Sequence, residues 1–188
     1  MNTTAYQTFE GRLAFYHPNS AGHGCAVRFE LRPARRGREG YIFAELARQK
    51  SMVQQQNGAR QAATFDWEAR VAIKLGLTDV CAMLAVLEGR STAAGGDKGL
   101  FHQTDVATTV ITFRRVEEPF AGYAFEVSRK ERRAGAEAIR LRIGLSEAEG
   151  CGLRQVVAAA VFHLCFYEIT LVPGGTPMVS APMGEYAD

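Results

Sequence analysis

One passage of this sequence occurs twice. Residues 72–79 read Ala-Ile-Lys-Leu-Gly-Leu-Thr-Asp, and residues 140–147 read Arg-Leu-Arg-Ile-Gly-Leu-Ser-Glu. Each copy runs an alternating apolar and basic stretch into a glycine, an apolar residue, a hydroxyl and an acid. A helix-like apolar run follows each. Alternation with a period of two marks a half-buried strand, and a hydroxyl followed by an acid marks a helix start. The pattern predicts a duplicated unit of several strands and one helix, with halves at about 9–89 and 98–168. Two such units make a large twisted sheet surface, suited to holding a polymer.

At 188 residues and 47% hydrophobic, the chain can bury one substantial core. The expected organisation is a single domain over 1–168 and a flexible Pro/Gly/Met tail over 169–188. No apolar run approaches the roughly 20 residues that span a bilayer, so no membrane partner is expected. Residues 1–8 are polar and lack the apolar stretch of a secretory signal. That favours a cytoplasmic protein, bacterial or phage and nucleoid-associated, or an organellar one if a transit peptide has been removed. Cys25, Cys81, Cys151 and Cys165 form no Cys-x-x-Cys and no short Cys/His spacing. They read as four buried or neutral thiols in a reducing compartment.

Net charge is only +2, but every basic residue lies before position 169, and the first 168 residues carry +4. The basic set is 18 Arg against 4 Lys. Arginine offers a planar bidentate fork for phosphate and stacks on bases; a GC-rich genome inflates arginine as well.

Strands are predicted over 9–18, 25–33, 41–50 and 65–75, with a basic loop at Arg35, Arg36, Gly37 and Arg38 and a mobile Gln-rich loop over 51–61. Thr78 opens a helix that ends at Gly89. After a small-residue linker, strands follow over 99–103, 107–117, 123–130 and 137–144, then a helix from Ser146 to about 168 with Glu149 completing a capping box. Residues 156–167 of that helix are apolar nearly all round, which requires burial on most sides. One sheet covers one side, so the remainder requires a second subunit or the other helix, and a second subunit is the favoured expectation. Val157, Ala159, Ala160, His163 and Leu164 are the candidate oligomer interface.

Several segments resemble the Whirly single-stranded DNA-binding proteins. They are Phe9-Glu-Gly-Arg-Leu-Ala-Phe15, Gly40-Tyr-Ile-Phe43, Phe65-Asp-Trp-Glu-Ala-Arg70 and Ile73-Lys-Leu-Gly-Leu-Thr-Asp79. Gly99-Leu-Phe-His102, the stretch 109–115 and Gly122-Tyr-Ala-Phe-Glu-Val-Ser128 continue the family's order and spacing, so the likeness covers roughly 9–167. The resemblance implies an α+β fold: a duplicated four-strand-plus-helix unit, two crossed antiparallel sheets and two helices packed between them. Trypanosome mitochondrial guide-RNA-binding proteins and the positive-cofactor transcription coactivators share this superfold. The resemblance also implies a homotetramer built through the helices, and binding of single-stranded nucleic acid with little sequence preference. The family's basic-Gly-basic motif stands here as Glu10-Gly11-Arg12, with its first position acidic.

Sequence-tolerant binding of a single strand needs a basic track for the backbone and aromatic platforms for the bases. The candidates for the track are Arg12, Arg28, Arg32, Arg70, Lys74, Arg115, Lys130, Arg140 and Arg142, with Gly11 a binding candidate through the motif it shares with Arg12. Each of the basic residues is also readable as a solvated charge or as a cross-strand partner of Glu30, Glu68 or Glu126. The candidate platforms are Tyr16, Tyr41, Phe43, Trp67, Phe101, Tyr123 and Phe125, with core packing the competing role for each. Tyr16 is best placed, in phase with Arg12 and opposite Leu13 and Phe15. Trp67 shares a phase with Phe65 and Val71.

Catalysis finds no support. The four histidines are scattered, and the His17, His23 and Cys25 spacing fits no common metal site. There is no phosphate-binding Gly-x-x-x-x-Gly-Lys loop and no nucleophile elbow. The expectation is a non-enzymatic protein without cofactor, metal or small-molecule substrate. Its partners would be single-stranded DNA or RNA and copies of itself, in replication, recombination, repair or transcription. The competing expectation is an oligomeric scaffold that has lost nucleic-acid affinity.

Overall fold

The computed structural model describes residues 12–56 and 59–166. Gly11 and the proposed tail lie outside them. The first unit comprises β1 (Arg12–His17), β2 (Cys25–Arg32), β3 (Tyr41–Arg48), a short ribbon of β4 (Gln54–Gln56) and β5 (Ala59–Gln61), β6 (Val71–Leu75) and helix α1 (Leu77–Leu87). The second comprises β7 (Leu100–Gln103), β8 (Ala107–Val116), β9 (Gly122–Glu131), β10 (Ile139–Ser146) and helix α2 (Glu147–Cys165). Each unit lays its four main strands down as an antiparallel meander, in the orders β1-β2-β3-β6 and β10-β9-β8-β7. The duplication read from the sequence is thus the architecture.

Period-two alternation fixes which way each strand faces. In β2, Cys25, Val27 and Phe29 are buried while Arg28, Glu30 and Arg32 point out; in β9, Tyr123, Phe125 and Val127 are buried. The two inner faces share one core. Phe29 and Phe125 stack across the sheets with ring centroids 5.9 Å apart, and Phe113 meets Phe125 edge-to-face. Both helices touch both sheets: α1 packs on β6 and β8, and α2 on β1, β2, β9 and β10.

The two halves are also tied by a reciprocal pair of polar contacts. Each helix carries an acid in its first turn that folds back onto the backbone N–H that opens the helix: Asp79 onto Gly76 at 3.0 Å, Glu149 onto Ser146 at 2.8 Å. The other unit's first strand then supplies a histidine to that acid. His17 of β1 reaches Glu149 at 2.7 Å, and His102 of β7 reaches Asp79 at 3.0 Å. The far end of α2 is held as well. The amides of Ala34 and Gly40, at the root of the β2–β3 hairpin, donate to the carbonyls of His163 and Leu164 at 2.7 and 3.1 Å. A Cβ at Gly40 would lie 2.8 Å from the Leu164 Cα, so only glycine allows this approach.

Three local expectations change. The strand predicted over 65–75 is interrupted. Phe65 makes an isolated bridge to Gln49, Asp66 turns the chain by accepting from the Ala69 amide at 3.2 Å, and pairing resumes only at Val71. Short polar side chains compete in this way with the sheet ladder. The Gln-rich loop closes as the β4–β5 ribbon. Helix α1 starts one residue before Thr78, because Asp79 caps back to Gly76.

Burial opposes ionisation of Glu149, but the hydrogen bonds from His17 and Ser146 outweigh it and hold the carboxyl below its usual range. A carboxylate with a lowered folded-state pKa stabilises above its unfolded value and loses that contribution as pH falls through the folded one. His17→Ala should therefore lower stability by about 1 kcal/mol at neutral pH, discounted for partial exposure of the pair. Urea unfolding from pH 7 to 3 should show a shallower fall below about pH 4.3 in the variant than in the wild type.

Candidate nucleic-acid interface

Register gathers nine of the predicted residues onto the outer face of the first sheet. Arg12 lies opposite Glu30, Tyr16 opposite Ala26, Arg28 opposite Glu45, Arg32 opposite Tyr41 and Phe43 opposite Lys74. Arg70 and Trp67 reach the same face from the turn before β6. Arg70 bonds Glu45, and the Arg28 guanidinium lies 4.4 Å over the Trp67 ring.

The aromatics form two groups on this face. Near one end, Tyr16 packs on Phe65 at 5.6 Å and edge-on to Trp67 at 6.3 Å, with Tyr16 54% exposed. At the other end, Tyr41 and Phe43 meet edge-to-face at 4.9 Å, and the Lys74 ammonium sits 4.5 Å over the Tyr41 ring. Both pairs have the offset geometry that ring quadrupoles favour. The break in the predicted fourth strand is what swings Trp67 outward, out of phase with Val71.

Most of the arginine charge between the groups is compensated. Glu45, almost fully buried, bonds both Arg28 and Arg70. Glu30 pairs with Arg32 and, at 3.9 Å, with Arg12. Burial raises the Glu45 pKa, but the two guanidiniums more than reverse it, so the carboxyl is held below its usual range.

The second sheet carries a sparser set. Phe101 is 61% exposed on its outer face, opposite Val110. Lys130, Arg140 and Arg142 share that face, Arg142 pairing with Glu126 at 3.0 Å. Three expectations fail here. Tyr123 and Phe125 belong to the core: Tyr123 stacks on Phe113 and fills the space beside Gly150 of α2, leaving no room there for a Cβ. Arg115 shares the inward phase of Phe113 and bonds Glu147 of α2 at 2.7 Å. The outward arginine of that pair is Arg114, opposite Ala124. Phe120, lying over Gly144, is a further exposed ring on the outer face. Arg114 was legible from strand phase, whereas Phe120 lies in the bend between β8 and β9, where no strand phase marks it.

The predicted oligomer residues divide as well. Val157, Ala160 and Leu164 line up with Leu153 at helical spacing and point into the chain's own core, and His163 is half-buried. Ala159 is exposed. The outward stripe of α2 is instead Val156, Ala159, Phe162 and Phe166, with Phe162 61% exposed and its ring tilted against Phe166 at 4.9 Å. Of the cysteines only Cys25 is buried, its thiol pushed up to about 11 by burial; Cys81, Cys151 and Cys165 are exposed on the helices. Among the described residues no helix is long and apolar enough to cross a membrane, and no cluster of His, Cys, Asp or Glu could hold a metal.

Comparison with solved structures decides the fold. The crystal structure of WHY3 from Arabidopsis thaliana superposes with a TM-score of 0.63, covering 83% of this chain and 89% of that one at 15% identity. The plant transcriptional regulator PBF-2 gives 0.60, with 82% and 81% covered at 18% identity. WHY1 from Arabidopsis thaliana gives 0.58, with 83% and 85% covered at 17% identity.

This is the Whirly fold.

No protein-family model and no curated protein sequence matches the chain. The likeness is therefore one of architecture, and the chemistry of the site rests on its own residues.

Glu45→Gln tests the central network. It leaves Arg28 and Arg70 without their carboxylate, so stability should fall by about 1–2 kcal/mol, below the cost of breaking a fully buried pair because both arginines reach solvent. Urea denaturation at pH 7 checks this. The wild-type advantage should disappear as pH drops below about 4.3, since the Glu45 contribution is present only above its lowered pKa.

Proposed function

We propose that this protein binds single-stranded nucleic acid, with little sequence preference and without catalysis, along the outer face of its first sheet. The observation that carries the reading is the pair of aromatic groups, Tyr16–Phe65–Trp67 and Tyr41–Phe43, on one sheet face interleaved with arginines and Lys74. Every base has a flat π-face, so stacking on such rings tolerates any sequence, at about 1–3 kcal/mol per base. Bases in a duplex are already stacked and cannot reach them. The Whirly fold supports the reading, since a plant transcriptional regulator shares it.

The chain is further proposed to act as a homo-oligomer, a tetramer, through the outward stripe of α2. Phe162 and Phe166 expose apolar rings that association would bury, at about 1.5–3 kcal/mol for each. The competing reading, an oligomeric scaffold without nucleic-acid affinity, draws on the neutralisation of the sheet arginines by Glu30 and Glu45. One titration separates the two. Fluorescence anisotropy with a labelled mixed-sequence 30-mer should show salt-sensitive binding to the single strand and none to the duplex. Glu45→Gln, which removes one negative charge from the face, should tighten binding about fivefold near 0.1 M salt. Absence of single-strand binding at low salt would leave the scaffold reading.

Phe162→Glu should dissociate the oligomer while the monomer stays folded, because the ring is 61% exposed in the monomer. Light scattering with far-UV circular dichroism reads both. An intact oligomer would rule out α2 as the interface.

A further inference from the structure

The sheet face is not uniform in charge, and its unpaired positive charge collects at one end. Between β2 and β3, Arg35 and Arg38 exchange backbone hydrogen bonds at 2.9 and 2.8 Å, closing a tight hairpin turned by Arg36 and by Gly37 at φ +74°. Residues bridged in this way leave the ribbon on the same side, and both arginines line the groove beside it. The turn is also held at its root, because Ala34 and Gly40 donate to the last carbonyls of α2. Beside it lies an open groove of about 650 Å³, lined by Arg32, Arg35, Arg38, Lys74 and the rings of Tyr41 and Phe43, with Glu39 its one carboxylate. Arg32 is taken by Glu30. Among the described residues, no carboxylate stands within ion-pair distance of Arg35, Arg38 or Lys74.

We infer that this groove is a one-nucleotide subsite, which anchors an unpaired nucleotide by base and phosphate together. This deepens the single-strand reading and rests on it. The base stacks at the Tyr41–Phe43 pair, taking the ring face that Lys74 covers. Lys74, on a flexible four-carbon stem, moves from the ring to the phosphate beside Arg35 and Arg38. Guanidinium groups suit this task because their forked donors match two phosphate oxygens. The central arginines, already bonded to Glu45 and Glu30, release few counterions when a strand arrives. The salt dependence of binding therefore originates mainly at the hairpin, while the Tyr16 end supplies stacking.

The test measures single-strand affinity against salt concentration by anisotropy, for the wild type, Arg35→Ala/Arg38→Ala, Arg36→Ala and Tyr41→Ala. Losing two phosphate contacts should lower the log–log salt slope of the double variant by about 1.4. Arg36→Ala, at the tip and outside the groove, should keep the wild-type slope. Tyr41→Ala should lose about tenfold in affinity with the slope unchanged. The hairpin is solvent-exposed and its bridge is backbone, so circular dichroism should show all variants folded. A wild-type slope in the double variant overturns this subsite alone. An equal loss in Arg36→Ala overturns it too, by showing diffuse attraction in place of a built site. No single-strand binding by the wild type overturns the subsite and the proposed function together.

Discussion

The structure depends on an exchange between its halves. Neither sheet can cover its inner face with its own helix alone, since α1 and α2 each pack on both sheets. The exchange is pinned by two equivalent contacts, His17 on Glu149 and His102 on Asp79, in which a first strand from one unit holds the capping acid of the other unit's helix. Each acid thus serves twice. It satisfies a backbone N–H that the helix start would leave orphaned, and it fixes the helix against the opposite sheet. Duplication explains why the device appears twice at the same structural position. It also explains why the core is continuous through Phe29 and Phe125 instead of forming two small cores, each marginal at this length.

Much of this was legible from the residues. Alternation and the repeated Gly-x-Thr/Ser-acid signature made eight main strands and two helices legible. What misled was incomplete use of phase. In β9, Glu126, Ser128 and Lys130 occupy one face, which assigns Tyr123 and Phe125 to the other; their ring chemistry suggested platforms, but the polar partners decide. Arg115 follows Ile111 and Phe113 in the inward phase and was read as outward for its charge alone. In α2, residues 153, 157, 160 and 164 trace a core stripe that the surrounding apolar residues concealed. Other features were beyond a linear reading. Asp66 could not be seen to interrupt a strand, nor His17 to reach Glu149 across 132 positions of sequence. Which arginines are neutralised also depends on register, and register is fixed only when the faces pack.

That neutralisation follows from folding itself. Glu45 is almost fully buried in the middle of a sheet, and the two guanidiniums that bond it more than reverse the effect of burial and hold its carboxyl below the usual range. Arginines recruited to hold a buried carboxylate are poor phosphate ligands, since each would have to leave one anion to meet another. Their aliphatic and planar parts remain useful, as Arg28 over Trp67 illustrates.

A net charge of +2 is therefore a weak guide to what this surface attracts. Screening limits the reach of exposed charges to about 10 Å at 0.1 M salt, so a strand responds to the few groups near it and not to the total. On this sheet the nearby groups differ along the strands: compensated arginines in the centre, uncompensated ones at the hairpin. Stacking is short-ranged and insensitive to salt, while phosphate attraction is longer-ranged and salt-sensitive. Under the proposed function, placing them at different points of one face would let the hairpin capture a strand and the aromatic groups retain it. On the same proposal, an acidic residue at position 10 would matter less than the motif suggests, because the uncompensated charge stands at the β2–β3 turn.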